Sequence, residues 1–263
     1  MPRRERMTLF AIAITSWLCL KNGLENVRQS EVAVADYERM RDIERRYQAA
    51  SGLKERRYYS LFYGPLAPFP LAMINENPGG SPDDFKIVDV YAGSHEYVEG
   101  RFSGPTTLNA STLLMRLLGG DSHEIVRPVQ VFNQHFRRSP GRLGARERRR
   151  HVDEARPFVL ECLAFARPKL LLFGGANGVQ PFMTALGGTA VADDATTVMG
   201  PNGTSPAVYY REYRLHHPLL GPMSGIGLYH PSKLNGHFYA HAFPRLLRRV
   251  NEALAGTGQG PRL

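Results

Sequence analysis

Four short apolar runs, each ending in polar residues or glycine, constrain the fold of this chain more than any other feature. The runs span residues 71–75, 128–133, 169–173 and 226–229. Segments with the apolar spacing of helices lie between them, over residues 107–118 and 152–166 and from about Asn177. Strands that alternate with helices form a mainly parallel sheet covered on both faces. The sequence therefore predicts an α/β fold, a three-layer α-β-α sandwich around a central, mainly parallel four-stranded sheet.

The segments outside these runs predict the domain organisation. We expect residues 1–57 to form a helical extension packed on the core, residues 58–254 to form one α/β domain, and residues 255–263 to form a frayed tail. The stretch 186–217 is expected to be an insertion or a hairpin, and residues 236–254 a last helix. The apolar segment Met7–Leu20 follows three arginines, but no small-x-small cleavage site follows it, which favours a buried element over an export signal.

The positive net charge indicates which kinds of partner the protein attracts. A net charge of +9 and a pI near 9.8 create a positive field that attracts polyanions, nucleic acid above all, although a merely solubilising surface has the same charge. The two cysteines, Cys19 and Cys162, cannot form a four-cysteine metal or iron–sulfur site, and they suit a reducing compartment. We expect a cytoplasmic monomer without a cofactor, a metal or a membrane, and the charge leaves nucleic acid binding and a solubilising surface both open.

Polar side chains gather where the predicted strands end. Asn75 and Asn77 follow the first strand, Asn133 ends the second, and His230 and Ser232 follow the fourth. The third strand ends in Gly174-Gly175, where a backbone can approach closely. Because ligands of open parallel sheets bind at the carboxyl ends of the strands, these residues are expected to share one crevice.

Three of these segments resemble parts of the uracil-DNA glycosylase superfamily. The run Glu76-Asn77-Pro78-Gly79 is similar to the Asn-Pro-Gly motif of its mismatch-specific and single-strand-selective branches. The run His230-Pro231-Ser232-Lys233-Leu234-Asn235 resembles the second motif, and Val131-Phe132-Asn133 resembles the strand whose Asn reads the base. The resemblance covers residues 60–250 approximately, in the family's order. Either short motif alone would be weak, but both around a matching α/β pattern are fairly specific.

The resemblance implies a monofunctional DNA glycosylase that cleaves the N-glycosidic bond of a flipped base. Asn77 would orient the attacking water, and His230 would donate a hydrogen bond to the base oxygen that gains negative charge. Asn133 would read the base edge, with Asn75 and Gly79 beside it. Each residue also has a plainer interpretation, namely a turn former or a satisfied structural histidine.

Further residues are expected to stack on the base or to hold the DNA. Phe102, or else Tyr97, would stack on the flipped ring, and Leu234 would be the wedge that fills the gap in the duplex. Ser232, Lys233 and Asn235 would contact the DNA backbone, and the basic loop over residues 135–150, with Arg137 and Arg138, would follow it. Asp83 and Asp84 could supply a catalytic carboxylate, although a capping or solvent-exposed role is more common for such a pair.

The identity of the base stays open at this stage. Uracil-specific members of the family place a bulky aromatic just after the motif proline, whereas this chain has Gly79-Gly80 there. The substrate is therefore uracil or a related lesion or, alternatively, a bulky 5-modified cytosine such as glucosylated hydroxymethylcytosine, which would make the protein an anti-phage defence enzyme.

Two other classes of protein also fit parts of the sequence. One is a non-catalytic nucleic-acid-binding module. The other is a nucleotide-dependent enzyme, suggested by residues 173–178, but that run lacks the Gly-Lys-Ser/Thr of a P-loop and the full dinucleotide fingerprint.

Overall fold

The sheet and its helices were analysed in a computed structural model. It describes residues 37–76, 78, 88–99, 105–139, 143–199, 206–229 and 234–255. The helices are α1 Tyr37–Ser51, α2 Glu96–Glu99, α3 Pro105–Leu117, α4 Ala145–Ala166, α5 Val179–Leu186, α6 Gly236–His241 and α7 Phe243–Ala255. The strands are β1 Leu71–Asn75, β2 Gln130–Asn133, β3 Leu170–Phe173, β4 Thr189–Met199, β5 Pro206–His217 and β6 Gly221–Leu228. Short 3-10 turns lie at Arg56–Tyr58, Val90–Ala92, His123–Val126 and Ala176–Gly178.

Within the described ranges the six strands form one sheet in the order β2-β1-β3-β6-β5-β4. The strands β2, β1, β3 and β6 are parallel to one another, and β5 and β4 continue the sheet in antiparallel fashion. The chain passes from β1 to β2 on one side and then returns to β3 on the other side of β1. The strand order thus reverses at β1, and such a reversal opens a crevice at the carboxyl ends of parallel strands.

Alternate side chains of β1 enter opposite halves of the core. Ala72 and Ile74 belong to a buried cluster with residues of α1, α4 and α5, whereas Leu71 and Met73 belong to a second cluster with residues of α3, α6 and α7. A strand whose successive side chains point to opposite faces must be apolar at every position if helices cover both faces. The three-layer α-β-α sandwich predicted from the sequence is therefore confirmed.

The number of strands differs from the prediction. The four predicted strands form the parallel part, but the segment expected to be an insertion or hairpin contributes β4 and β5, of which β5 pairs with β6 and β4 pairs with β5. Without this hairpin, β6 would be an edge strand with unpaired backbone groups. β6 also begins at Gly221, five residues before the predicted start at 226, because its first residues are only partly buried and lack an apolar pattern.

Two predicted loops or helices have different bounds. The basic loop expected over residues 135–150 ends early, because α4 already begins at Ala145. The sequence from Ala145 to Arg150 consists of good helix formers, and its charged side chains form the exposed face of the first turns. The single last helix predicted over residues 236–254 is divided into α6 and α7, since Pro244 has no backbone N–H to continue a helix.

The helical extension predicted over residues 1–57 is described from Tyr37 onward. Met40, Ile43 and Tyr47 of α1 are fully buried in the same cluster as α4, so this helix is part of the core. The frayed tail predicted from residue 255 is described only at Ala255, which ends α7.

Candidate functional site

Two asparagine side chains lie next to each other at the carboxyl edge of the sheet. Asn75 ends β1 and Asn133 ends β2, and the two residues are direct partners in the parallel register. Asn133 is fully buried, and Asn75 is half-buried. Gly174 follows β3 on the other side of β1, where a Cβ atom would lie only 2.6 Å from Oδ1 of Asn75. The glycine predicted to admit a backbone therefore makes room for the Asn75 amide.

Two tyrosine hydroxyls hold these amides in place. Nδ2 of Asn75 donates to the hydroxyl of Tyr97 at 2.8 Å, and Nδ2 of Asn133 donates to the hydroxyl of Tyr63 at 3.1 Å. The two rings are 5.8 Å apart between centroids. Tyr97, the alternative candidate for stacking on the base, is buried and positions Asn75 through its hydroxyl, and its stacking role stays a prediction.

The second amide atom of Asn133 has no hydrogen-bond partner among the described residues. Its Oδ1 is inaccessible to solvent, yet nothing described bonds to it. A buried amide that is only half satisfied is costly, because it has lost its water without gaining a replacement. This is the pattern expected of a group that pairs with a ligand, and since Asn133 is covered, a ligand must displace what covers it.

A buried histidine fixes the segment that carries Tyr97. Nε2 of His95 lies 3.1 Å from the carbonyl oxygen of Val129, and Nδ1 accepts a hydrogen bond from the backbone N–H of Tyr97 at 3.1 Å. This pattern requires a neutral ring protonated on Nε2. Burial accordingly lowers the pKa of His95 to about 4. Gly64 is required beneath the ring, since a Cβ there would lie 2.2 Å from Cδ2 of His95.

The residue after His95 carries a buried carboxyl group. Glu96 is 4% exposed, and its backbone N–H donates to the carbonyl oxygen of Tyr63 at 2.7 Å. Burial raises the pKa of Glu96 to about 8, against the opposing influence of Arg138. Sequence reasoning missed Glu96 and Tyr63. An acidic residue in a first helical turn resembles an ordinary helix-end residue, so no sequence signal separated it from that role.

An arginine of α4 joins the ends of β1 and β2. Nη1 of Arg148 lies 3.2 Å from Oε1 of Glu76, and its Nη2 donates to Oε1 of Gln134 at 3.3 Å. The backbone N–H of Gln134 donates to the carbonyl oxygen of Asn75 at 2.8 Å. Arg148 was predicted as part of a DNA-tracking loop, but its contacts make it a brace for the residue that precedes Asn77.

Two of the expected DNA contacts are corrected by the structure. Arg137 pairs with Glu154, with Nη2 and Oε2 2.8 Å apart, and also donates to the carbonyl oxygen of Ser51, so it holds α4 rather than facing outward. Leu234 is 4% exposed in the core cluster that contains Phe238, so it cannot act as a wedge without leaving the core.

Asn235 and Arg138 are two further predicted DNA contacts that the structure describes. Asn235 is exposed, and its Oδ1 accepts a hydrogen bond from the backbone N–H of Phe238, which makes it the N-cap of α6. Arg138 follows Arg137, and its charge acts to lower the pKa of Glu96 and of Tyr63, against the larger effect of burial.

Several predicted residues lie outside the described residues. They are Asn77, Gly79, Asp83, Asp84, Phe102, His230, Ser232 and Lys233.

The neighbours of the two motif loops are nevertheless described. Glu76 is paired with Arg148, and the carbonyl oxygen of Pro78 accepts from the backbone N–H of Ser139 at 3.3 Å. The backbone N–H of Tyr229, directly after β6, donates to the carbonyl oxygen of Tyr209. β1 and β6 are separated only by β3, so the two strands end on the same edge about 10 Å apart.

No family model matches the chain, and no curated protein matches it. Among the described residues there is no group of three or more His, Cys, Asp or Glu side chains arranged to hold a metal ion. None of the helices described here combines the length and the apolar character that a membrane span requires.

Proposed function

We propose that this protein is a monofunctional DNA glycosylase of the uracil-DNA glycosylase type, which hydrolyses the N-glycosidic bond of a flipped pyrimidine and leaves an abasic site. One observation carries the proposal. Asn133, buried beside Asn75 at the carboxyl edge where the strand order reverses, keeps one amide atom without a described partner. The strands that lead into the two motif loops end on this same edge.

The proposed reaction is the hydrolysis of the bond between the sugar and the base, and the protein must assist it in three ways. The water oxygen bonds to C1′ of the sugar, the bond between C1′ and the base nitrogen breaks, and the electron pair leaves with the base. The water gives up one proton and the base takes one, so the products are an abasic sugar with a C1′ hydroxyl and a neutral free base. The site must orient the water, stabilise the negative base and hold the base out of the stack.

Different residues of this chain are proposed to perform these three tasks. The amide oxygen of Asn77 would orient the water but, unlike a carboxylate, would not take its proton. A neutral His230 would donate a hydrogen bond to the negative base. Asn133, held by Tyr63, would pair with the base edge through its second amide atom.

Arginines other than Arg137 are proposed to bind the DNA backbone. Arg146 and Arg149 are exposed on the first turns of α4, whose neighbouring Arg148 reaches Glu76 at the candidate site. With a net charge of +9, the protein is expected to bind DNA with an affinity that falls as salt rises. Within this proposal it acts as a monomer in the cytoplasm and without a cofactor.

The substrate panel that tests the proposal covers both interpretations of Gly79-Gly80. Oligonucleotides with uracil, a thymine mismatch or a glucosylated hydroxymethylcytosine are incubated with the protein and then treated with alkali, which breaks DNA at abasic sites. Cleavage at uracil supports repair, and cleavage at the bulky cytosine supports defence. Salt-sensitive binding without cleavage of any substrate would replace the proposal by a non-catalytic DNA-binding module.

Arg148 gives a prediction about positioning. We expect Arg148→Met to lower the excision rate roughly tenfold, because Glu76 loses its brace next to Asn77 and small misplacements slow catalysis. The free energy of unfolding should change by less than about 1 kcal/mol, since the ion pair is partly exposed. Single-turnover rates and urea unfolding measure the two effects. Arg156→Met, which removes the same charge farther along α4, is the control, and an equal rate loss there would contradict the positioning role.

A further inference from the structure

Glu96 is a buried acid that the proposed roles of Asn77, Asn133 and His230 leave unused. It is 4% exposed, and its Oε2 is shielded from solvent without a hydrogen-bond partner in the part of the chain that the structure describes. Its backbone is fixed by the bond to Tyr63 on one side and by the histidine that precedes it on the other. Glu96 is therefore held in a defined place with an unsatisfied side-chain oxygen.

Glu96 is connected to both tyrosines that hold the asparagines. Its backbone N–H donates to the carbonyl oxygen of Tyr63, and Tyr97 is the next residue of α2. Burial and, less strongly, the charge of Glu96 raise the pKa of both tyrosines. Arg138 is the cation that acts on Glu96. Among the described residues, Arg138, Tyr63 and Tyr97 are the groups that interact electrostatically with Glu96.

Two buried polar atoms without a described partner thus belong to residues that both bond to Tyr63, one through its backbone N–H and the other through its amide. One belongs to the Asn133 amide and the other to the Glu96 carboxyl. Each buried polar atom without a partner lowers the stability of the fold, and no residue that the structure describes compensates for this. A single ligand that offers a donor and an acceptor side by side would satisfy both atoms, and the hydrogen-bonding edge of a pyrimidine offers this pair.

On the basis of the proposed glycosylase function, we propose that Glu96 is a base-contacting residue, whose carboxylic acid donates a hydrogen bond to an acceptor atom of the flipped pyrimidine next to the group paired with Asn133. A hydrogen bond from a neutral acid strengthens as the departing base gains negative charge, so it accelerates bond cleavage as well as binding. The class of substrate is a base with neighbouring donor and acceptor atoms on its pairing edge.

The acid must be protonated to donate, and its burial provides for this at neutral pH. Since the pKa of Glu96 is raised to about 8, the donor is present below that pH and is lost above it. An ionised Glu96 would also repel the developing negative charge on the base. The wild-type excision rate is therefore expected to fall about tenfold for each pH unit above about 8.

The test compares pH profiles of single-turnover excision from pH 6 to 10 on an oligonucleotide that the wild-type protein cleaves. Glu96→Gln keeps an N–H donor and cannot ionise, so its rate near pH 7 should stay within about tenfold of wild type while the decline above pH 8 disappears. Glu96→Ala should be slower than Glu96→Gln at every pH. Glu99→Gln, one turn along the same helix, is the control and should keep the wild-type profile.

The outcomes separate the two proposals. An active wild type whose alkaline decline is unchanged in Glu96→Gln overturns the role of Glu96 and leaves the glycosylase proposal standing. A wild type that cleaves no substrate in the panel overturns the glycosylase proposal, and with it this inference. If Glu96→Ala does not fold, as judged by circular dichroism, the isosteric Glu96→Gln profile decides alone.

Discussion

Asn77→Ala and His230→Ala are each expected to lower the rate of base excision by at least about a hundredfold. The first variant removes the amide that would orient the water, and the second removes the donor that would stabilise the departing base. Neither side chain is expected to carry much of the DNA affinity, which comes mainly from contacts of basic side chains with phosphates. Alkali-dependent strand scission measures the first effect, and fluorescence anisotropy at several salt concentrations measures the second.

Matched controls make this result specific. Asn251→Ala on α7 and His216→Gln on β5 remove the same kinds of side chain away from the carboxyl edge of β1, and both should retain the wild-type rate. Wild-type activity in both motif variants would refute the assignment of Asn77 and His230. A parallel loss of DNA binding and scission in either variant would mean that the residue holds DNA rather than acting on the bond.

The parallel part of the sheet was predictable because its physical origin is local. Each of its strands is covered on both faces, so β1 and β3 appear in the sequence as unbroken apolar runs with polar or glycine residues directly after them. The ends of such strands share one edge, which correctly predicted that Asn75 and Asn133 lie together. By contrast, β4 and β5 are not apolar along their whole length, and they join this sheet because β5 pairs with β6 and β4 pairs with β5.

The partners of the site residues could not be predicted in the same way. Tyr63 holds Asn133, Arg148 holds Glu76, and Glu96 bonds to Tyr63, and only the folded chain brings these separate segments together. Sequence position also says little about which side of an element a residue occupies. Arg137 and Leu234 looked like DNA contacts because of charge and motif position, yet one is paired with Glu154 and the other is in the core.

The second large effect is expected at acidic pH, where the fold should lose stability through the protonation of buried histidines. Burial lowers the pKa of His95 to about 4, and burial together with the nearby His151 lowers that of His135 to about 4. An unfolded histidine titrates near its ordinary value of about 6.5, so between these two values the unfolded chain binds more protons than the folded one. The free energy of unfolding therefore falls as the pH falls from about 6.5 to about 4, on the order of 3 kcal/mol for each histidine.

Urea unfolding at pH 7, 6, 5 and 4 measures this dependence. The double variant His95→Gln/His135→Gln should show a much flatter pH dependence than wild type, whatever its stability at pH 7, because neither replacement takes up a proton. The exposed His216→Gln is the control and should keep the wild-type slope. A double variant with the wild-type slope between pH 6.5 and 5 would show that other groups cause the acid sensitivity.

The acid effect also bears on the proposed catalytic site. His95 holds the backbone of Tyr97, whose hydroxyl holds Asn75, so protonation of His95 loosens the candidate base pocket from behind. We therefore expect excision to fail at low pH together with the fold, over the range set by the buried histidines. The alkaline decline has a separate origin in Glu96 and should disappear in Glu96→Gln while the acid decline persists. If His95→Gln changes only the acid decline of the excision rate and Glu96→Gln changes only the alkaline decline, each decline is assigned to one of these two neighbouring residues.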